Sequence, residues 1–444
     1  MYETLPQEAS VQGIQMQTPG LKTWGAASST GCRLLYTMDS VLYAVYETTL
    51  YSIDSNGTAT ALGTIGGGGK ISAADNGFQL VLVASAASYV YSNVSTTLTQ
   101  ITATNFLAAG SVAYLDGFFT FTQLDTNQFF VSGVADSVTG LVDFSTFDAT
   151  ERAFAYTQAG YIQAVISDHK ELWIFKTRFI EIWQNSGEAD FPLSRLGGAY
   201  IERGCINKHA IAQADNSIFW LGDDRVVYRA NGYVPQRIST FAVEAAISDY
   251  TVTDCFAQSW DEAGHKLFGL WFPTSGATWV YDIATDMWHE RQSFGYGYWR
   301  ANQVAVCYGK TLVGDSESAS IGELDYATFT EYGNMIQAIR VGHTIQSEGN
   351  MFSLDRLEIV IESGVGLLSG QGSAPVIGLQ ISKDFGRTYG TLTTRSMGAM
   401  GEYSKRAVWR QLGTYRQFTP RLLITDPVRR YILDSYAEIT PRRV

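Results

Sequence analysis

From about residue 30 onward one pattern keeps returning: a β-branched or aromatic strand, a polar turn with Gly or Asn, a second strand, then a looser polar stretch. It starts near Val41 (VLYAVYETTLYSIDSNGTATAL), Phe78 (FQLVLVASAASYVYSNVSTTLTQI), Phe118 (FFTFTQLDTNQFFVSGV) and Glu171 (ELWIFKTRFIEIWQNSG). It starts again near Ser217 (SIFWLGDDRVVYRANGYVPQRI), Lys266 (KLFGLWFPTSGATWVYDIATDMWHE) and Val304 (VAVCYGKTLVGDSESASIGELDY). A spacing of roughly 40 to 50 residues is that of propeller blades. A unit of three or four strands cannot cover both of its faces, so neighbours must stack radially and close into a ring. The expectation is an all-β chain: a β-propeller of about seven blades, in the range of roughly five to eight, over residues 1–345, then a C-terminal antiparallel β-module over residues 346–444.

Composition agrees with strands rather than helices. Forty-three Gly stand against nine Pro, with 25 Tyr, 23 Phe and 10 Trp, in a chain of 444 residues that is only 17% charged; Gly weakens helix interiors, and aromatic residues favour strands. Asn56-Gly57 and Asn231-Gly232 are hairpin-turn pairs. YDIATDMWHE, Tyr281 to Glu290, resembles the outer strand of a kelch-like blade, with Trp288 packed after an Asp turn. The opening MYETLPQEAS lacks a basic segment followed by an apolar one, and no apolar run reaches bilayer length. A soluble protein made without a signal peptide, with no membrane-spanning segment, is expected. Cys32, Cys205, Cys255 and Cys307 lie far apart, which points to four free thiols rather than a metal knuckle or a disulfide scaffold.

After about residue 345 the rhythm changes. MFSLDRLEIVIESGVG, PVIGLQISKDFGRTYG, RAVWRQLG, PRLLITDP and RYILDSYAEIT read as five strands. LEIVIE alternates Leu357, Ile359 and Ile361 on one face with Glu358, Val360 and Glu362 on the other. Charge shifts at the same place: residues 1–340 hold 18 Lys and Arg against 34 Asp and Glu, and residues 341–444 hold 13 against 9. An acidic body repels polyanions and would suit a passage through which DNA slides without sticking. Lys405, Arg406, Arg410, Arg416, Arg421, Arg429 and Arg430 alternate with apolar residues, a pattern suited to docking on an acidic neighbour.

Motifs that could carry chemistry fail on spacing. GGGGK, Gly66 to Lys70, is followed by Ile71 where a phosphate loop needs Ser or Thr, so it reads as an inter-blade loop. SIDSNGTATALG has Gly63 where a calcium loop needs its bidentate Glu. His169, His209, His265, His289 and His343 are scattered, Asp223, Asp224 and Arg225 read as a hairpin tip, and there is no Gly-x-Ser-x-Gly elbow. No catalytic, cofactor-binding or metal-binding residue is assigned.

ISKDFGRTY, Ile381 to Tyr389, is close to the Asp-box turn of sialidases. In that turn an Asp accepts backbone hydrogen bonds, a Gly supplies positive φ and an aromatic residue packs beneath. Asp384, Gly386, Thr388 and Tyr389 fit these roles, all of them structural. The box occurs once, outside the blade-like repeats, with Tyr where Trp is usual.

Two segments carry a resemblance beyond fold class: Glu171 to Ile211, and the C-terminal run of LEIVIESGVG, ISKDFGRTY and GEYSKRAVWRQLGTYRQFTPRLLITDPVRRYILDSYAEI. Together they look like the packaged-DNA stabilisation, or tail hub and nozzle, proteins of short-tailed (podovirus) bacteriophages. That resemblance implies a virion protein of the phage tail, assembled in the host bacterial cytoplasm, without enzymatic residues or cofactors. It implies a homohexameric ring below the portal and adaptor. Such a ring extends the channel for viral double-stranded DNA, anchors tail fibres or tailspikes, and is closed by a plug or needle protein until DNA ejection. Two other readings of the residues stay open: a propeller enzyme acting on glycans, and a carbohydrate-binding or interaction module.

Overall fold

The computed structural model describes residues 2–4, 13–85, 87–188 and 191–442. The described residues form two compact units, one made of Thr23–Gln292 with Tyr296–Glu323, the other of the remainder.

Among the described residues the first unit holds six four-stranded antiparallel sheets and a seventh blade, formed by Ala301–Cys307, Lys310–Asp315, Ser320–Asp325 and Gly20–Ala26 of a six-stranded sheet. In chain order, the innermost strands of these blades are Cys32–Met38, Ser72–Asp75, Ala109–Leu115, Ile162–Asp168, Ile211–Ala214, Phe256–Glu262 and Ala301–Cys307. The middle strands are apolar on both faces because each sheet is covered by a blade on either side. Gln79–Ala84 and Ser217–Leu221, for example, are buried along their whole length. Between blades 1 and 2 the core contains Val45, Leu50, Leu80 and Leu82; between blades 4 and 5 it contains Phe175, Ile182, Ile218 and Trp220.

The ring closes on itself. The last blade receives its fourth strand from the start of the chain, Gly20–Ala26, next to Ser320–Asp325, and the Ala27 amide donates to the Ala319 carbonyl at 2.8 Å. Cys32, Leu35 and Leu42 of blade 1 then share a core with Cys307, Leu312 and Ile321 of blade 7. All four cysteines are free and buried.

One local device recurs. In six blades the innermost strand turns into the next through two residues that both have positive φ: Asp39-Ser40, Asp116-Gly117, His169-Lys170, Asp215-Asn216, Ala263-Gly264 and Tyr308-Gly309. Such turns match the right-handed twist of the strands they join. At the expected Asn-Gly hairpins only the glycines have positive φ, Gly57 at 83° and Gly232 at 57°. The second turn is Gly232-Tyr233, because Asn231 is still in the ladder, opposite Val234. Trp288 packs against Tyr281, with ring centroids 5.1 Å apart, and its indole donates to the Ile238 carbonyl.

The second unit is a β-sandwich. One sheet contains Ile432–Pro441, Phe352–Ile361 and Ala407–Tyr415; the other contains Ala338–Val341, Gln417–Ile424, Val376–Ser382 and Thr393–Ser396. Leu357, Ile359 and Ile361 face Ile377, Leu379 and Ile424 across its core, with Trp409. On the other side of the LEIVIE strand Glu358 is buried rather than solvated, because the guanidinium groups of Arg356 and Arg406 close over it.

Candidate functional site

The Asp384 turn is built as the residue types require. Its carboxylate accepts the Thr388 amide at 2.8 Å, the Thr388 hydroxyl at 2.6 Å and the Ser382 hydroxyl at 2.7 Å. The Ser382 oxygen in turn accepts the Gly386 amide at 2.8 Å. These donors hold the Asp384 carboxyl well below the usual carboxylate range. Gly386 has φ of +88°, a conformation that favours glycine. Tyr389 is half-buried, and the Arg421 guanidinium lies 4.0 Å above its ring centroid.

The basic run of the same unit does not form a single open patch. Lys405, Arg406 and Arg429 pair with Glu402, Glu358 and Glu362. The Arg421 side chain donates to Gln380, and Arg430 is buried, donating to the Ile336 carbonyl. In the propeller the Asp223, Asp224 and Arg225 tip is structural. Arg225 donates to the carbonyls of Ile247, Ser248 and Tyr250 and so caps the C-terminus of the helix Phe241–Ser248. Asp223 accepts the Gly204 amide, and Asp224 accepts the Tyr228 hydroxyl.

A concave feature of the propeller unit lies on its axis. It is a cavity of about 820 Å³, lined by the first residues of the innermost strands and the loops that precede them, so that every blade contributes. Two lysines cross it. Lys70, from the loop before the inner strand of blade 2, donates to the Asn302 carbonyl of blade 7 at 3.1 Å and lies 3.9 Å over the Phe256 ring of blade 6. Lys208, before the inner strand of blade 5, donates to the Gly110 carbonyl of blade 3 at 3.1 Å. The inter-blade loop GGGGK therefore does carry a placed lysine, although it is no phosphate loop. Sequence spacing missed it because the axis gathers residues from different blades.

Arg33 completes the cationic wall. Its Nε donates to the Gly69 carbonyl at 2.7 Å and its Nη1 to the Glu47 carbonyl at 2.6 Å, while Nη2 is buried without a partner. The Asn302 side chain donates to the Cys32 carbonyl, and its Oδ1 is likewise buried and unpartnered. Asp125 and Asp254 are the carboxylates of the wall. They come from blade 3 and from the loop before blade 6, and one oxygen of Asp254 accepts the Thr274 amide. Burial pushes the Lys70 ammonium down to about 7 and the Lys208 ammonium down as well, Asp125 opposing the latter shift. Burial, with both lysines near, pushes His209 down to about 3, so it is a neutral ring in the wall. The Cys32 thiol is pushed up to about 12 by burial and is unreactive. Among the described residues no group of three or more His, Cys, Asp or Glu is placed to hold a metal ion, and no helix is long and apolar enough to cross a membrane.

Solved structures similar to this chain include that titled "Crystal Structure of Mitotic Checkpoint Complex", 11% identical with a TM-score of 0.43, over 73% of this chain and 98% of that one. Another is the "Crystal structure of RRP9 WD40 repeats", 11% identical with a TM-score of 0.40, over 70% and 99%. A third is the extracellular domain of a putative hybrid two component system from B. thetaiotaomicron, 9% identical with a TM-score of 0.45, over 79% and 47%. No curated protein sequence matches the chain. Two family models do: "Bacteriophage P22 Gp10, beta-propeller" over residues 1–329 and "Bacteriophage P22 Gp10, beta-sandwich" over residues 337–440. The two matches fall one after the other along the chain, on the propeller and on the sandwich, and the chain belongs to the bacteriophage P22 Gp10 family of virion DNA-stabilisation proteins.

Proposed function

We propose that this chain is the tail hub, or nozzle, of a short phage tail: a ring, of six copies, that extends the DNA channel below the portal and adaptor. The ring helps retain packaged DNA, lets it pass at ejection, anchors fibres or spikes, and is closed by a plug or needle. It is made and assembled in the host cytoplasm and acts without enzymatic chemistry. The observation that carries this reading is the match of both halves of the chain, in order, to one phage family.

Physical arguments support it. Lys70 and Lys208 project into the axial cavity and donate to carbonyls two blades away, so the axis of a single propeller is obstructed and a duplex must pass between copies. The excess of carboxylates over residues 1–340 would make such a passage repel phosphates, so that DNA slides without sequence-specific contacts. In this division of labour residues 1–345 form the body and residues 346–444 a module that holds neighbours, with the Asp384 turn fixing its strand register.

Mass and rotational symmetry of the purified chain, alone and mixed with the portal and adaptor of the phage that encodes it, test the reading. A closed ring bound to the adaptor is expected. A monomer at every concentration with no affinity for the adaptor would sink it.

A further inference from the structure

We propose that the axial cavity of the propeller binds a small phosphorylated ligand, its phosphate held by Lys70, Lys208 and Arg33 and its hydroxyl groups by Asn302 and Asp254. Three observations carry this. First, the three cations line the cavity without an ion-pair partner: among the described residues, none has a carboxylate oxygen within ion-pair distance, and their hydrogen bonds go to backbone carbonyls. Closing the axis of a propeller needs only packed side chains, and apolar ones would do so without the cost of desolvating charge.

Second, the wall holds unmet hydrogen-bonding capacity of both kinds. Arg33 and Asn302 are only 9% and 8% exposed. Yet Arg33 Nη2, a donor, and Asn302 Oδ1, an acceptor, have no partner, and Asp254 Oδ1 is a second orphan acceptor. Buried polar groups are normally paired, and exceptions need a reason. A ligand that carries phosphate oxygens and hydroxyl groups on one ring satisfies acceptor and donor alike. Third, at about 820 Å³ the cavity has the size of a small-molecule site rather than an ion site. Phe256, Leu124 and Pro273 supply apolar wall for the body of a ring. The shared chemistry is thus a phosphate on a hydroxylated ring, as in a sugar phosphate or a mononucleotide.

Calorimetric titration of the full chain at pH 7 with inorganic phosphate, glucose 1-phosphate and thymidine 5′-monophosphate tests this. One of the two organic phosphates should bind with one site per chain and more tightly than inorganic phosphate; which one does so tells a sugar source from a nucleotide source. Lys70→Met and Lys208→Met should each weaken that binding about tenfold or more, the loss of one charged hydrogen bond. No binding of either organic probe at about 10 mM, binding no tighter than that of inorganic phosphate, or binding that survives both substitutions would overturn the proposal. Should a variant fail to fold, hydrogen exchange of the wild-type chain decides. The bound probe should protect residues 68–70 and 207–209, and protection confined to other segments, or none, refutes the site.

Discussion

Replacing Lys70 by Met separates what this residue does for folding from what it is kept for. Burial holds its ammonium at about 7 against an ordinary value of 10.5. Below pH 7 both the folded and unfolded chains hold the proton, and the fold carries the full penalty of an enclosed charge. Between pH 7 and 10.5 the unfolded chain binds the proton more tightly, so stability rises with pH through this window, and above 10.5 the penalty is gone. At about 1.36 kcal/mol per pH unit, the penalty is about 4 kcal/mol at pH 7 and about 2 kcal/mol at pH 9. Lys70 is only half-buried, and water in the cavity screens it, so roughly half of each figure is expected. Against this gain the variant leaves the Asn302 carbonyl without its donor, at a cost of about 1 kcal/mol.

Lys70→Met should therefore be more stable than wild type by about 1 kcal/mol at pH 7 and about equal to it at pH 9. Urea unfolding at the two pH values, followed by tryptophan fluorescence, measures this. Arg33, Lys208, His209 and Asp254 are common to both chains, and His209, held near 3, does not titrate in the window. A variant less stable than wild type by the same amount at both pH values would refute the reasoning, because Lys70 would then be a structural strut and not a costly charge.

Other substitutions probe the rest of the molecule. A Cβ added at Gly314 would lie 2.2 Å from Cys32 Sγ across the seam between blades 7 and 1; Gly314→Ala should cost about 1–3 kcal/mol in thermal unfolding, and adding Cys32→Gly should recover most of it. Lys176 is fully buried, donates to the Ala155 carbonyl and lies 3.9 Å from the equally buried Glu181; Lys176→Met leaves that carboxylate uncompensated, and a loss of about 3 kcal/mol or more in urea unfolding is expected. Asp384→Ala should lower the unfolding midpoint of the sandwich and speed exchange of the Thr388 amide. Because the Asp384 carboxyl is held below its ordinary 3.8, the difference from wild type should be full above pH 5 and shrink as pH falls below that value.

Much of this fold was legible in the sequence, and the reason is burial. The second and third strands of each blade lie between two neighbours, so they read as dense apolar runs, such as HKLFGLWF from His265 to Phe272. Six of the seven repeats seen in the sequence begin at or beside the second strand of their blade. Most of the innermost strands were not legible. Ser72–Asp75 (SAAD) and Ile211–Ala214 (IAQA) are short and built of small or polar residues, because one side faces the axis. Closure of the ring was also hidden, since Gly20–Ala26 finds its partner some 300 residues away. The helix Phe241–Ser248 escaped notice because two turns give too little apolar periodicity, although Thr240 is an ordinary N-cap.

The candidate sites divide in the same way. Asp384, Gly386, Thr388 and Tyr389 are close in sequence, so their turn could be read from spacing alone. The cavity could not, because Arg33, Lys70, Lys208 and Asn302 come from four blades and meet only on the axis. Nor could the charge count of the C-terminal part show that Arg406 and Arg429 pair with Glu358 and Glu362, which lie far from them in sequence.

A symmetry-resolved electron cryo-microscopy reconstruction of the tail of the phage that encodes this chain is the decisive test of the proposed hub. A closed ring of six copies directly below the adaptor is expected, with DNA passing between the propellers and none through a propeller axis. A tail in which this chain is absent, or is present only as isolated peripheral copies away from the DNA path, would contradict it.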